Sequence, residues 1–281
     1  MNKKRILSAL LIILTTSTFI SCGGNDKSGN NNSEKANASS ESNKAPIPRE
    51  DFNLVYSNPE DYKGREVEFY GKIFADVEKD NDGTYMQMFT NETGSDNNVL
   101  VGIKDPNLDV KIDDIVHVKG IVKGVEKGTN AFGSELNLPL VVAESVEISD
   151  YGTAFAPALK TIDINQEQDQ FGYKLTLKKV EISKSETRAY VKIENASNDK
   201  ISFYNFNSVI TQGTNQIEQE DNWRANYPKI SSEILPGIVT EGVVTFKPID
   251  INGGDFNIIF EGRSNDYSLD FIPFTFQIGM N

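Results

Sequence analysis

The stretch Lys174–Ile182, which reads KLTLKKVEI, decides the structural class of the second half of the chain. Leu175, Leu177, Val180 and Ile182 alternate with Lys, Thr and Glu. Alternation with a period of two places apolar side chains on one face of a β-strand and polar side chains on the other. This segment therefore predicts a strand with one buried face.

Segments of the same kind recur through the rest of the second half. Each alternates β-branched or aromatic residues with polar ones, and Asn, Gly and Asp stand between them. They are Lys174–Ile182, Arg188–Glu194, Ile201–Thr211, Ile238–Pro248, Asp255–Glu261 and Phe271–Ile278. Six or seven strands in about 120 residues predict an immunoglobulin-like β-sandwich over residues 151–281. Tyr151–Leu159, with small residues and a proline, is interpreted as a connection.

Residues 51–150 predict a second all-β domain, an OB-like small barrel. Its strand regions are Arg65–Phe74, Tyr85–Phe89, Asn98–Ile103, Ile115–Val122 and Leu138–Ile148. A short helix is expected within Asp51–Tyr62, with Asp51 as its N-cap and the Asn58-Pro59 step as its end. Gly124–Asn137 is expected to form a long loop that contains Phe132.

The chain begins with the pattern of a secretion signal. Lys3, Lys4 and Arg5 precede the apolar run Ile6–Ile20. Fifteen residues are too few to span a bilayer comfortably, since about 20 are needed, but they suit the apolar core of a signal peptide. Residues 22–50 are rich in Gly, Asn and Ser and predict a flexible linker, with a reach on the order of 30 Å.

The sequence Phe19-Ile20-Ser21-Cys22 resembles a bacterial lipobox, with Phe19 in place of the usual Leu. The resemblance implies that residues 1–21 are a lipoprotein signal peptide, that the Cys22 thiol receives a diacylglycerol, and that cleavage after Ser21 makes Cys22 the mature N-terminus. The protein is then held by its lipid on the extracytoplasmic face of the cell membrane. Cleavage would also take the net charge from −13 to −16, because three basic residues are lost. The alternative is an ordinary secretion signal beside an incidental cysteine.

Both predicted domains carry local sequences with a family resemblance. Tyr62–Gly64, Asp113–Gly120 and Pro139–Glu147 resemble strand ends of OB-fold modules of the anticodon-binding-like group in bacterial lipoproteins. This resemblance covers about 95 residues and speaks only to the fold.

In the second half, Val191–Ser197 and Ile234–Gly237, followed by Gly242–Phe246, resemble a telokin-like, immunoglobulin-type domain of unknown function. That domain is common in lipoproteins of Gram-positive bacteria. The resemblance implies an extracytoplasmic accessory module, with no catalytic residues, from a Gram-positive source.

The composition excludes several classes of site. One Cys and one His, His117, cannot supply an intramolecular disulfide or a cluster of zinc ligands. An acidic balance of 41 Asp and Glu against 28 Lys and Arg opposes binding to nucleic acid. No assembled catalytic set is present, so we expect no enzymatic activity and no cofactor.

Three aromatic residues are candidate contacts with a partner. Trp223 and Tyr227 lie in a loop-like insertion, where they either stack on sugar rings, anchor a partner protein or cap the sandwich core. Phe132 is either exposed beside the ligand face of the barrel or plugs one end of it. The leading hypothesis is a membrane-anchored binding or adaptor lipoprotein whose partner is an envelope protein or a cell-wall polymer.

Two alternatives of other classes remain open. An envelope glycan hydrolase or transferase would need a carboxylate pair about 5–9.5 Å apart, for example including Glu220 or Asp221. A Ca²⁺-dependent ligand sensor would use Glu78, Asp80 and Asp82, although the preferred interpretation of these acids is a hairpin turn at Asp82-Gly83. No late bidentate Glu completes the calcium pattern.

Overall fold

The computed structural model of the chain describes residues 45–91, 97–129 and 135–280. These residues form seventeen strands and only short helical turns, so the protein belongs to the predicted all-β class. The chain divides into two units between Glu147 and Ile148, three residues before the predicted boundary. No helix in the described ranges has the length and apolar character needed to cross a membrane.

Unit 1 begins with helical turns rather than the one helix expected. A 3₁₀ turn at Arg49–Asp51 precedes helix α1 (Asn53–Ser57), and a second 3₁₀ turn covers Pro59–Tyr62. Helix α1 ends before Asn58-Pro59, as predicted, because the residue before proline disfavours helical backbone. The expected cap is wrong: Phe52 is the N-cap, and Asp51 lies in the preceding turn.

The strands of unit 1 close into a ring. They are β1 (Glu66–Ile73), β2 (Glu78–Lys79), β3 (Thr84–Phe89), β4 (Asn98–Ile103), β5 (Ile115–Thr129) and β6 (Glu135–Ser149). The neighbours run β1-β5-β6-β4-β3, and β3 also pairs with β1. Only β4 and β6 are parallel among the registered pairs. Five strands paired in a closed circle leave no free edge among themselves.

The interior of this ring is apolar. Alternate residues of β1, β3 and β5 point inward, including Phe69, Met88 and Val118, and each is almost fully buried. The predicted linker ends earlier than expected. Ile47 is 4 % exposed and donates its backbone N–H to Glu66, so the chain from about residue 45 belongs to the folded unit.

Strands β5 and β6 are longer than predicted and shorten the loop expected at Gly124–Asn137. Both strands run fifteen residues, and β5 continues to Thr129 through Gly124, whose φ of +119° suits glycine. Phe132 lies outside the described residues.

Unit 2 opens with helix α2 (Tyr151–Ala154), which Asp150 caps by accepting a hydrogen bond from the Thr153 N–H. The strands that follow are β7 (Ala158–Gln170), β8 (Tyr173–Ser183), β9 (Thr187–Asn195), β10 (Ile201–Phe203), β11 (Val209–Gln212), β12 (Asn215–Glu218), β13 (Glu233–Ile234), β14 (Val239–Phe246), β15 (Phe256–Phe260), β16 (Gly262–Ser264) and β17 (Phe274–Ile278). The predicted single strand Ile201–Thr211 is two strands, separated by a turn at Tyr204–Asn207.

These strands form three sheets around one core. Their orders are β14-β9-β8-β7, β12-β11-β15-β17 and β13-β10-β16. Inward residues of the first sheet, such as Leu175 and Val191, join Phe260 and Phe276 of the second in a single buried cluster. Since unit 2 contains no cysteine, apolar packing rather than a disulfide joins its sheets.

Candidate functional site

The insertion between β12 and β13 contains a short loop whose two ends are hydrogen-bonded to strand β14. We call Asp221–Tyr227 the Trp223 loop. Before it, the Glu220 N–H donates to the Thr245 carbonyl at 2.9 Å; after it, the Pro228 carbonyl accepts from the Val243 N–H at 2.9 Å. Both anchor points are on β14, so the two ends of the Trp223 loop are fixed to the same strand.

Glu186 binds both sides of the Trp223 loop. Its Oε2 accepts a hydrogen bond from Asn222 Nδ2 at 2.7 Å, and its Oε1 accepts one from the Tyr227 hydroxyl at 2.5 Å. Glu186 lies in the tight β8–β9 turn, where its backbone N–H and carbonyl both bond to Ser183. The Glu186 carboxylate, held on an ordered turn, therefore fixes the loop at Asn222 and at Tyr227.

Arg188 neutralises this buried carboxylate. Glu186 is only 5 % exposed and Arg188 only 1 %. Arg188 Nη1 donates to Glu186 Oε1 and to the Ala156 carbonyl, both at 2.8 Å, while its Nε and Nη2 reach Glu181 Oε2 at 3.0 and 2.9 Å. A buried charge is tolerated only when it is paired and hydrogen-bonded. The guanidinium meets that condition by contacting two carboxylates.

The network moves the pKa values of its members. Burial works to raise the pKa of Glu181, but hydrogen bonds from Lys179, Tyr190 and Arg188 outweigh it and leave the pKa below its usual value. Burial, followed by the hydrogen bond to Glu186, raises the pKa of Tyr227. Tyr227 is therefore a neutral donor and Glu181 an ionised acceptor near neutral pH, which is the protonation pattern that the hydrogen bonds require.

The Trp223 loop presents the only tryptophan of the chain to solvent. The Trp223 side chain is 78 % exposed, and the Arg224 guanidinium lies 4.4 Å from its ring centroid. Within the loop, Asn222 Oδ1 accepts a hydrogen bond from the Arg224 backbone N–H, and the Ala225 side chain is buried. A large aromatic side chain thus projects from a loop whose backbone is ordered by its own contacts and by Glu186.

A shallow groove of about 240 Å³ lies beside Trp223. It is lined by Trp223, amides including Asn205 and Asn226, and the ammonium of Lys229. Its volume is below the range of about 300–1,000 Å³ found for enclosed small-molecule sites. The groove therefore suits contact with one part of a larger ligand better than enclosure of a cofactor.

The two aromatic residues singled out in this loop take different roles. Trp223 does not cap the sandwich core, because most of its surface meets solvent. Tyr227 is half-buried; its ring meets Tyr151 edge-on at 6.0 Å, and its hydroxyl is bonded to Glu186. Tyr227 supports the loop, whereas Trp223 is available for contact. Cys22 lies outside the described residues, as does Phe132.

The acids Glu78, Asp80 and Asp82 lie at a hairpin turn between β2 and β3. Asp80 Oδ1 accepts hydrogen bonds from the backbone N–H groups of Asp82 and Gly83 at 2.8 and 3.0 Å. This carboxylate is used by the turn, as Asp often is before Asp-Gly. Within the described ranges, no three His, Cys, Asp or Glu residues are grouped so as to hold a metal ion.

The carboxylates near Trp223 do not form a buried pair. Glu220 is exposed and lies 3.8 Å from Lys247, and exposed Asp221 accepts from Gln219. The buried Glu186 and the partly buried Glu181 both bond to Arg188. General acid catalysis by a glycosidase needs a carboxyl group of raised pKa facing its substrate, and Glu181 has the opposite shift.

Sequence reasoning missed the Arg188 network, although one signal for it was present. The predicted strands Lys174–Ile182 and Arg188–Glu194 are joined by a short turn, so a hairpin places Glu181 opposite Arg188, as observed. Opposite charges at facing positions of a hairpin are a recognisable pair. The contribution of Asn222 and Tyr227 carries no such signal, because both lie more than thirty residues away along the chain.

Comparisons with known proteins give structural neighbours only. No family model and no curated protein matches the chain. A functionally unknown protein from Listeria monocytogenes EGD-e matches with a TM-score of 0.36 and 11 % identity, over 45 % of this chain and 88 % of that one. A conserved domain protein from Bacillus anthracis matches with a TM-score of 0.36 and 12 % identity, over 75 % of this chain and 77 % of that one.

Proposed function

We propose that this protein is a lipid-anchored extracytoplasmic lipoprotein that binds an envelope protein or a cell-wall polymer and catalyses no reaction. The observation that carries the proposal is Trp223, a tryptophan that is 78 % exposed on a loop braced from both sides by Glu186. An exposed Trp offers a partner a large apolar surface to bury and an indole N–H to bond.

Preorganisation supports a binding role for the loop. Trp, Tyr and Arg are the residues most enriched among those that dominate binding energy. Because Glu186 already fixes Asn222 and Tyr227, little conformational entropy is lost when a partner contacts Trp223. The loop thus has both the chemistry and the rigidity of a contact site.

The domain assignments proposed with this function are an OB-type barrel and an immunoglobulin-type sandwich. The closed ring β1-β5-β6-β4-β3, with β4 and β6 parallel, supports the first. The single core shared by the sheets of unit 2 supports the second. Both folds use loops and sheet faces for recognition.

The lipid anchor rests on the sequence around Cys22. Its thiol would carry the lipid, and the linker from Cys22 to about residue 44 would hold the folded units off the membrane. Two or more acyl chains hold a protein stably at a bilayer, whereas one is marginal. The protein would then act from the extracytoplasmic face of the membrane of a Gram-positive cell.

Retention on isolated cell envelope tests the binding role. The mature chain, the Trp223→Ala variant and the matched control Leu235→Ala, which removes another exposed apolar side chain, are each made with Cys22→Ser, so that no lipid holds them to membrane, and are then mixed with envelope and sedimented. We expect wild type and Leu235→Ala to sediment and Trp223→Ala to bind at least about tenfold more weakly. Equal retention of all three proteins would remove the Trp223 loop from the proposal.

A glycan-cleaving activity is the alternative, and the same material tests it. Release of soluble sugar from envelope by wild type would contradict the non-catalytic proposal, whatever the binding result.

A further inference from the structure

The arginines of unit 2 have an unusual distribution. There are three: Arg188, Arg224 and Arg263. Arg188 is buried in the network described above. Each of the other two lies against an aromatic ring at the surface: Arg224 against Trp223, and Arg263 against Tyr204 and Tyr267, with distances to the ring centroids of 5.8 and 5.4 Å. The surface of unit 2 thus carries two aromatic–arginine units.

The two aromatic–arginine pairs lie in grooves that share one turn. Tyr204 lines a groove of about 420 Å³ that also contains Arg263 and Tyr267, and its neighbour Asn205 lines the groove beside Trp223. The turn Tyr204–Asn207 therefore contributes a residue to each of the two grooves. Phe206, at the middle of this turn, is 75 % exposed, and Tyr267 is 79 % exposed. Exposed aromatic rings therefore lie in both grooves and on the turn Tyr204–Asn207.

Neither surface arginine forms an ion pair with a described residue of unit 2. Within residues 135–280, no carboxylate lies in ion-pair distance of Arg224 or Arg263, although the chain has an excess of acids. The two acids that line the same groove as Arg263 accept hydrogen bonds from other residues. Glu261 accepts from Asn207 Nδ2 at 2.7 Å, and Asp266 accepts from the Ser268 hydroxyl at 2.7 Å. Stacking on a ring leaves the in-plane N–H donors of a guanidinium free to bind an oxyanion.

We infer that this surface binds an anionic glycan, with sugar rings against the exposed aromatic side chains and carboxylate or phosphate groups on Arg224 and Arg263. This inference rests on the proposed function and names its ligand class. A sugar ring offers an apolar C–H face to an aromatic ring, and its acidic substituent offers the oxygens that a guanidinium binds in pairs. Two similar aromatic–arginine pairs match a ligand in which the same sugar and anionic group repeat.

The expectation of a polymer follows from the two separate arginine contacts, because the net charge of −13 opposes the binding of a single anion. Glu261 and Asp266 line the same groove as Arg263, and their negative charges oppose the binding of a single oxyanion there. Two weak contacts on one chain act together, because the second forms at the high local concentration set by the first. We therefore expect short anionic sugars to bind poorly and longer chains to bind well.

Equilibrium binding of the full mature chain in detergent micelles tests the inference. The probes are polygalacturonate for carboxylate, phosphorylated dextran for phosphate, and neutral dextran. We expect wild type to bind one or both anionic polymers, and which of them binds identifies the anion. Arg263→Gln and Arg224→Gln should each weaken binding about tenfold or more. Arg263→Lys, which keeps the charge but loses the planar pair of donors, should fall between them and wild type.

The control variant is Lys247→Gln, which removes another exposed positive charge from unit 2 and should bind like wild type. Equal affinity for dextran and the anionic polymers, or no loss in Arg263→Gln, would overturn the inference. Failure of the ligand class is distinguishable from failure of the proposed function. If no anionic polymer binds while Trp223→Ala still loses retention on cell envelope, the glycan is wrong and the contact loop stands.

Discussion

Glu186 and Tyr227 lie 41 positions apart in sequence, yet the Tyr227 hydroxyl donates to Glu186 Oε1 across 2.5 Å. The same carboxylate accepts from Asn222 on the other side of the Trp223 loop. A turn between two core strands thereby fixes the loop that presents the exposed tryptophan. The position of Trp223 therefore depends on Glu186, a buried acid that is itself almost inaccessible from solvent.

Loss of this brace should destabilise unit 2. Glu186→Ala leaves Arg188 with one carboxylate fewer, and removing one member of a buried ion pair costs about 3–5 kcal/mol of unfolding free energy. Tyr227→Phe removes one hydrogen bond and should cost about 1 kcal/mol. Urea unfolding followed by circular dichroism measures both values, because Trp223 is already exposed in the folded protein and its fluorescence would change little. Glu220→Gln, an exposed neighbour, serves as control, and equal effects of all three changes would contradict the account.

The stability of unit 2 should depend on pH through Glu181. Its pKa in the folded protein is below its usual 4.5, because hydrogen bonds from Lys179, Tyr190 and Arg188 outweigh the opposing effect of burial. A depressed pKa stabilises the fold above the unfolded-state pKa, and this stabilisation is lost as pH falls through the folded-state value.

The wild type should therefore lose stability steadily below about pH 4.5, whereas Glu181→Gln should start lower and lose less over that interval. Urea midpoints measured from about pH 7 to pH 3 give the comparison. A constant gap between the two proteins at every pH would show that Glu181 does not carry this dependence.

The contact between β14 and the end of the insertion should tolerate no side chain at Gly242. A Cβ there would lie 2.6 Å from the Pro228 carbonyl oxygen and 2.7 Å from the Ile230 nitrogen, both backbone atoms. Gly242→Ala should lower the unfolding free energy by about 1–3 kcal/mol. Gly128→Ala, with nothing within 4 Å of its Cβ, should change it by less than about 0.5 kcal/mol. Thermal unfolding followed by circular dichroism distinguishes the two.

Replacement of Cys22 should abolish membrane retention. The proposed lipid requires the Cys22 thiol, so Cys22→Ser should leave the protein without acyl chains. We expect the wild type in the membrane fraction, with a mass increased by lipid, and the variant unlipidated and depleted from that fraction. Fractionation and mass spectrometry of both proteins provide the measurement. A wild-type protein without a lipid mass, or a lipid mass retained on Cys22→Ser, would refute the anchor.

The sequence predicted strands best where a buried face alternates with a polar one. Asn98–Ile103 was predicted with the boundaries of β4. Strand β7 was missed because its side chains are largely exposed and only Ile162 and Ile164 pack against the core, so no strong alternation marks it. The split within Ile201–Thr211 was also missed. Aromatic residues there occupy both faces, and local pattern does not reveal that Phe206 turns to solvent.

The candidate site was predictable only in part. A tryptophan in a polar insertion drew attention to Trp223, but its exposure depends on contacts with Glu186 that only the folded topology creates. Tyr227 shares the loop and the same sequence signal, yet its hydroxyl is bonded to a buried carboxylate. Sequence pattern identifies residues able to bind, whereas tertiary contacts decide which of them face outward.

Site-specific photo-crosslinking in living cells tests the central claim most directly. A benzophenone amino acid replaces Trp223 in one strain and Leu235, which is 61 % exposed, in another. The account predicts a reproducible adduct with a protein or polymer of the envelope from position 223 and none from position 235. Adducts of equal yield from both positions, or none from position 223 in a correctly folded and localised protein, would contradict it.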